Sequence, residues 1–144
     1  MKPAIPQQLS LFDGPALRLG SVGRAVKLAL SSAAAESGLS REEIVHRAAA
    51  LSGEAGINLC PGGRLSLDTL NKWLNVNSPA YMPGLLALMV LCEVLEDRRA
   101  LVPVLEVFGL EVMGPEDKKF RDLGRATHRL KEARRALKKA EEKL

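Results

Sequence analysis

Ser40-Arg41-Glu42-Glu43-Ile44-Val45 and Ser66-Leu67-Asp68-Thr69-Leu70-Asn71-Lys72-Trp73-Leu74-Asn75 are the two stretches whose reading decides the fold. Each opens on a serine placed just before a run with helical spacing. In the first, Ser40 has Glu43 three residues on, so hydroxyl and carboxylate can satisfy each other's orphan backbone N–H groups. Its apolar face is Ile44, Val45, Ala48 and Leu51, which predicts a helix over 40–51. In the second, Leu67, Leu70 and Leu74 fall at i, i+3 and i+7 and are expected to point inward. Asp68, Thr69, Asn71, Lys72 and Asn75 are then left outward.

Between these two helices lie Gly53, Gly56, Pro61, Gly62 and Gly63, too many breakers for a continuous helix. The connection is longer than the three or four residues usual between paired helices of this kind. Upstream, a helix is expected from just after Ser21 to about Ser37, with Val22, Ala25, Val26, Ala29, Leu30 and Ala33 inward and Gly38 as its stop. Downstream, Pro83-Gly84 opens a fourth helix to about Glu96. Its Leu85, Leu86, Leu88, Met89, Val90, Leu91, Cys92, Val94 and Leu95 leave almost no polar face, and a helix apolar all round belongs in the centre of a core. A fifth helix covers Arg99 to Phe108, or begins near Leu101 so that Pro103 falls in its first turn, and Gly109 ends it. Gly114-Pro115-Glu116-Asp117 starts a last helix with proline and two acids at its dipole-positive end, and its pattern continues to Leu144. Residues 1–20, with Pro3, Pro6, Gly14, Pro15 and Gly20 and no sustained period, read as an extended arm. The expected protein is all-α: an arm over 1–20, a compact five-helix domain over 21–112 and a long basic amphipathic helix over 113–144.

Composition agrees with that plan. A chain of 144 residues that is 47% apolar can bury one core, and its five aromatic residues and abundant Leu and Ala favour helix over sheet. Cys60 and Cys92 are far apart, with no CxxC pair and no neighbouring histidine, so neither a zinc site nor a disulfide framework is indicated, and Cys92 reads as a buried thiol. The N-terminus lacks the apolar core of a signal peptide, and the run from Leu85 to Cys92 is too short to cross a bilayer, so a cytoplasmic protein without membrane contact is expected.

The net charge of +4 is unevenly spread. Residues 1–114 carry ten Lys and Arg against eleven Asp and Glu, whereas residues 115–144 carry eleven against six. A near-neutral body has weak non-specific attraction for phosphate, which scales with the phosphates neutralised. In the basic segment Leu123, Ala126, Leu130, Ala133, Leu137, Ala140 and Leu144 recur at alternating steps of three and four, the spacing of a coiled-coil seam. Such a stripe must fold back on the body or pair with a second chain, and a homo-oligomer through this helix is expected. Its Lys and Arg read either as a solvated face with i,i+4 pairs or as a phosphate- or partner-contacting arm.

Asn71, Lys72 and Thr69 carry groups suited to base edges in a major groove: a bidentate amide for adenine, an ammonium for guanine acceptors, a methyl and a hydroxyl. Ser66 at the helix start and Arg64 before it are placed to meet phosphate. Asp68 could accept from cytosine N4 or simply cap its helix. Catalysis has little to work with. His46 and His128 have no nucleophile or carboxylate pair at a telling distance, and Glu42-Glu43 is explained by capping. Pro61-Gly62-Gly63-Arg64 lacks the Lys and Ser or Thr of a phosphate loop. Neither an enzyme, a cofactor nor a metal site is expected.

On Leu39-Ser40-Arg41-Glu42-Glu43-Ile44-Val45, Leu65-Ser66-Leu67-Asp68-Thr69-Leu70-Asn71-Lys72-Trp73-Leu74-Asn75 and Met82-Pro83-Gly84, residues 22–112 resemble phage-encoded helix-turn-helix regulators of the lambda-repressor-like superfamily. The resemblance implies a second helix lying in the major groove of double-stranded DNA, with Ser66, Asp68, Thr69, Asn71 and Lys72 reading it; Arg41, Arg64 and Asn75 complete the candidate DNA-binding set. Gln8-Leu9-Ser10-Leu11-Phe12 resembles the short peptide with which bacterial replication and repair proteins bind the sliding clamp. That implies Leu11 and Phe12 in an apolar groove and Gln8 at its rim; the competing view packs Leu9, Leu11 and Phe12 on this protein's own helices. The leading expectation is a transcriptional regulator that binds DNA. Its rival is a helical protein-protein adaptor acting through Leu123, Leu130 and Leu137, through the arm at Gln8, Leu9, Leu11 and Phe12, or both. A third reading leaves nucleic-acid binding to the charge of the basic helix alone.

Overall fold

Pro15, at the first helical position where a missing N–H costs nothing, starts α1 (Pro15–Glu36) in a computed structural model that describes residues 14–144. The helix begins earlier than the sequence pattern suggests. Ala16, Leu17, Arg18 and Leu19 are strong helix formers that carry it past Gly20 and Gly23, and it ends where Gly38 takes a left-handed φ of 72°. The segment expected as an arm is therefore helical from Pro15 on. Gln8, Leu9, Leu11 and Phe12 lie outside the described residues.

α2 (Arg41–Ala55) and α3 (Leu67–Leu74) both start on the expected serines. Ser40 Oγ accepts from the Glu43 N–H at 3.1 Å, but the Glu43 carboxylate turns to Arg47 Nε at 2.9 Å instead of reaching back. The capping box is thus half closed. α2 runs past Leu51, through Gly53, until Gly56 caps it at a φ of 69°. α4 (Leu85–Leu95) follows, then a 3-10 turn over Arg99–Leu101, α5 (Val102–Glu106) with Pro103 in its first turn, and α6 (Pro115–Glu142). Among the described residues there is no strand. The chain divides into two compact units, Met1–Leu110 and Glu111–Leu144.

In the first unit α2 packs on α3 and α4, while α1 lies against α3, α5 and the 3-10 turn. Leu30, Ile44, Ala48, Leu70 and Leu91 are sealed at its centre, with Trp73 and Leu74 beside them. Full burial of each large side chain contributes about 1.5–3 kcal/mol. Two inward stripes differ from the expected ones. Leu67 is exposed and Trp73 takes its place, because residue 73 shares a face with Leu70 and Leu74 whereas Leu67 sits in the first turn, ahead of the core. α4 is buried on one side only: Ala87, Leu88, Val90, Leu91, Cys92 and Leu95 face in, but Leu85, Leu86 and Met89 are about half to two-thirds exposed. Its apolar circumference exceeds what one layer of helices can cover.

The least expected core residue is Lys27, whose side chain is 1% exposed. Its Nζ donates to the carbonyls of Lys72 at 3.0 Å, Asn75 at 3.1 Å and Ser78 at 2.5 Å. All three ammonium hydrogens thus have an acceptor. Burial pushes the Lys27 ammonium below the ordinary lysine value; the three dipoles, two of them at the negative end of α3, oppose that penalty. Lys27→Met should lower unfolding stability by about 2–4 kcal/mol, since it strands the carbonyls as well as removing the donor. Urea denaturation measures it, and a loss below about 1 kcal/mol would mean that water or another donor serves those oxygens.

Candidate nucleic-acid interface

With its ends held by Ser66 and Lys27, α3 presents Asp68, Asn71 and Asn75 at i, i+3 and i+7 as an exposed polar row. Beside it, Arg41 at the start of α2 donates from Nη1 to Asn71 Oδ1 at 2.6 Å. Ser31 of α1, Arg41, Asn71, Asn75 and Asn77 line one open depression floored by Leu74 and Val76. The N-terminus of α2 and the outer row of α3 therefore share a surface. The bond fixes the Asn71 amide: its oxygen accepts from the guanidinium, which leaves the two N–H donors of its NH2 group for another partner.

The other predicted residues do not gather there. Ser66 is spent on the cap, accepting from the Thr69 N–H at 3.1 Å and meeting Thr69 Oγ1 at 2.9 Å. Thr69 lines a different depression with Leu59, Cys60, Pro61 and Trp73. Arg64 lies exposed beside Glu42 and His46 in a third. Lys72 is half-buried, with its ammonium 3.0 Å from Asp68 Oδ2 and 4.8 Å from the centre of the Tyr81 ring. The Asp68 hydrogen bond, then its charge, hold the Lys72 pKa above the ordinary value. Asn75 closes α3; its Oδ1 accepts from the Asn77 N–H at 2.9 Å.

About half of the positive charge in the first unit is spent internally. Arg47 pairs with Glu43, Lys72 with Asp68, Arg98 with Glu93, and Arg99 with both Asp97 and Glu36. The Arg99 hydrogen bonds hold the Asp97 carboxyl below its usual value. Among the described residues of this unit, Arg18, Arg24, Arg41 and Arg64 make no ion pair with an acid. Of these four, Arg41 stands on the α2–α3 surface. In the second unit no residue of α6 is buried, and Leu123, Leu130 and Leu137 are 63%, 51% and 60% exposed.

Sequence reasoning passed over Lys27 and Tyr81. Lys27 does carry a signal, for it falls on the stripe with Leu30 and Ala34 at i+3 and i+7; Tyr81 carries none, since its meeting with Lys72 depends on the turn after α3. Burial pushes both thiols, Cys60 and Cys92, above their ordinary pKa, which disfavours the nucleophilic thiolate. Among the described residues, no three His, Cys, Asp or Glu side chains are grouped to hold a metal ion, and no helix is long and apolar enough to cross a membrane. Comparison of the chain with protein-family models, with curated proteins and with solved structures finds no match in any of the three.

The cap at the head of α3 can be tested locally. Ser66→Ala should cost about 1 kcal/mol, as loss of a serine N-cap does, and accelerate amide hydrogen exchange at Thr69 and Leu70 while leaving the middle of α2 unchanged. Uniform acceleration across both helices would show instead that α3 opens only with the whole unit.

Proposed function

We propose that this protein binds double-stranded DNA as a transcriptional regulator of the phage or prophage type, entering the major groove with the outer row of α3. The observation that carries this reading is the Arg41–Asn71 hydrogen bond, which couples a helix N-terminus to an outward amide on the next helix. A carboxamide held with free donors outward suits a base edge that accepts, and a neighbouring guanidinium with unused N–H groups suits phosphate. Asn71 and Asn75 would meet bases, and Arg41 would meet the backbone while orienting Asn71. Lys72, tied to Asp68, contributes to a contact only if that pair opens, and Arg64, Ser66 and Thr69 play supporting roles at the helix head. The first unit has nine Lys and Arg against nine Asp and Glu over residues 14–110, so its own phosphate attraction is weak. The eleven Lys and Arg of residues 115–144 supply the missing positive charge. Binding rather than catalysis is also consistent with the protonated thiols and with His128, which faces Glu132 at 3.2 Å on an exposed helix.

A second reading, a helical adaptor for another protein, is favoured by the exposed Leu85, Leu86 and Met89 on α4 and by the uncovered leucines of α6. Electrophoretic shift with the full chain separates the two. Asn71→Ala should weaken binding to the preferred duplex by roughly tenfold to a hundredfold, the effect of about 1–3 kcal/mol per specific contact, and leave random-sequence binding within about threefold, whereas Arg41→Ala, which removes a phosphate contact, should weaken binding to preferred and random duplexes alike. If neither substitution changes any duplex affinity, α3 does not read DNA and the adaptor reading stands.

A further inference from the structure

α6 (Pro115–Glu142) is a helix of 28 residues in a unit that contains no second element to cover its apolar side. The seam of Leu123, Ala126, Leu130, Ala133, Leu137, Ala140 and Leu144 faces solvent along its whole length. We infer that its occupant is α6 of a second copy of this chain, running antiparallel. The inference does not rest on the DNA-binding reading.

Shape argues first for the direction. Leucine and alanine alternate strictly along the seam, leucine at every a position and alanine at every d. Two parallel copies stack equivalent positions, so Leu–Leu layers alternate with Ala–Ala layers; the leucines hold the axes apart and leave voids at each alanine. Reversing one copy sets a against d. Leu123 then faces the partner's Ala140, Leu130 faces the partner's Ala133, and Leu137 faces the partner's Ala126. Every leucine but the terminal one meets an alanine, all layers have the same volume, and the backbones can approach to the short end of the ~8–10 Å range.

Charge selects the same arrangement. In a parallel pair each g residue flanks the partner's following e residue, which puts Arg129 against the partner's Arg134 on both sides of the seam. In the antiparallel pair g flanks g and e flanks e. Asp122 then flanks the partner's Lys143, Arg129 the partner's Ala136, Thr127 the partner's Arg134 and Phe120 the partner's Glu141, so no like charges meet and two opposite pairs form. Asp122 is already near Arg121 of its own helix at 3.2 Å through Oδ1, which leaves Oδ2 for the partner. Antiparallel dipoles add to the preference.

Sedimentation equilibrium of the full chain should give a dimer, and circular dichroism checks that each variant keeps its helix. Lys143→Glu and Asp122→Lys should each weaken the dimer by roughly fivefold to tenfold, because two attractions become two repulsions, and the double swap should return affinity to near the starting value. Arg134→Glu should match Arg125→Glu, an outward-facing control with the same change of charge, to within about twofold. A monomer at all concentrations, any stoichiometry other than two, or failure of the double swap overturns the proposal. So does a clear tightening by Arg134→Glu over its control, the mark of a parallel pair.

Discussion

The ammonium of Lys27 sits where the carbonyls of Lys72, Asn75 and Ser78 converge, and the geometry of the first unit is arranged around that meeting. α3 is eight residues long, far below the length at which an isolated helix is stable in water. It persists because Ser66 ties its head, three apolar side chains press it onto α1 and α2, and a buried cation from α1 ties its tail. A charge taken out of water tolerates little displacement from its acceptors, so the lock also sets where α3 lies on its neighbours. The alignment of the Asn71 amide with Arg41 follows from that placement.

Electrostatics divides the chain in two. The first unit spends part of its charge on itself, as in the Glu36, Asp97 and Arg99 cluster where the end of α1 meets the turn after α4. The second unit buries nothing and carries the basic excess on a single helix. On the proposed reading the first unit supplies geometry and the second supplies charge and pairing. A neutral reader brought to DNA in two copies by a basic coil doubles its contacts, which offsets the weak field of each copy.

Much of this was legible from local chemistry. Ser40 and Ser66 marked two helix starts because capping depends on residues only three apart, and Gly38 and Gly109 marked stops because left-handed backbone there suits glycine. Errors arose where burial depends on partners. Leu67, expected inward, is exposed while Trp73, which the pattern left unassigned, is buried, and Leu85, Leu86 and Met89 lie open although α4 looks like a core helix throughout. Hydropathy states what a residue tolerates, whereas exposure depends on how many neighbours the fold has available to cover it. Lys27 is the same lesson reversed: a charge is buried because acceptors forty-five to fifty-one residues away close around it.

By itself the sequence determined the all-helical class, the starts of α2, α3, α4 and α6 and the 3-4 seam of α6, since each is written in residues within a turn or two of one another. Only the tertiary structure decided which polar groups share a surface. It joined Arg41 to Asn71 across thirty residues, set the Lys72 ammonium over the Tyr81 ring, and turned Thr69 and Arg64 toward other depressions. The reason is physical: capping and periodicity act along the chain, whereas the meeting of side chains from different helices is set by packing angles and by a buried lysine that no local pattern encodes.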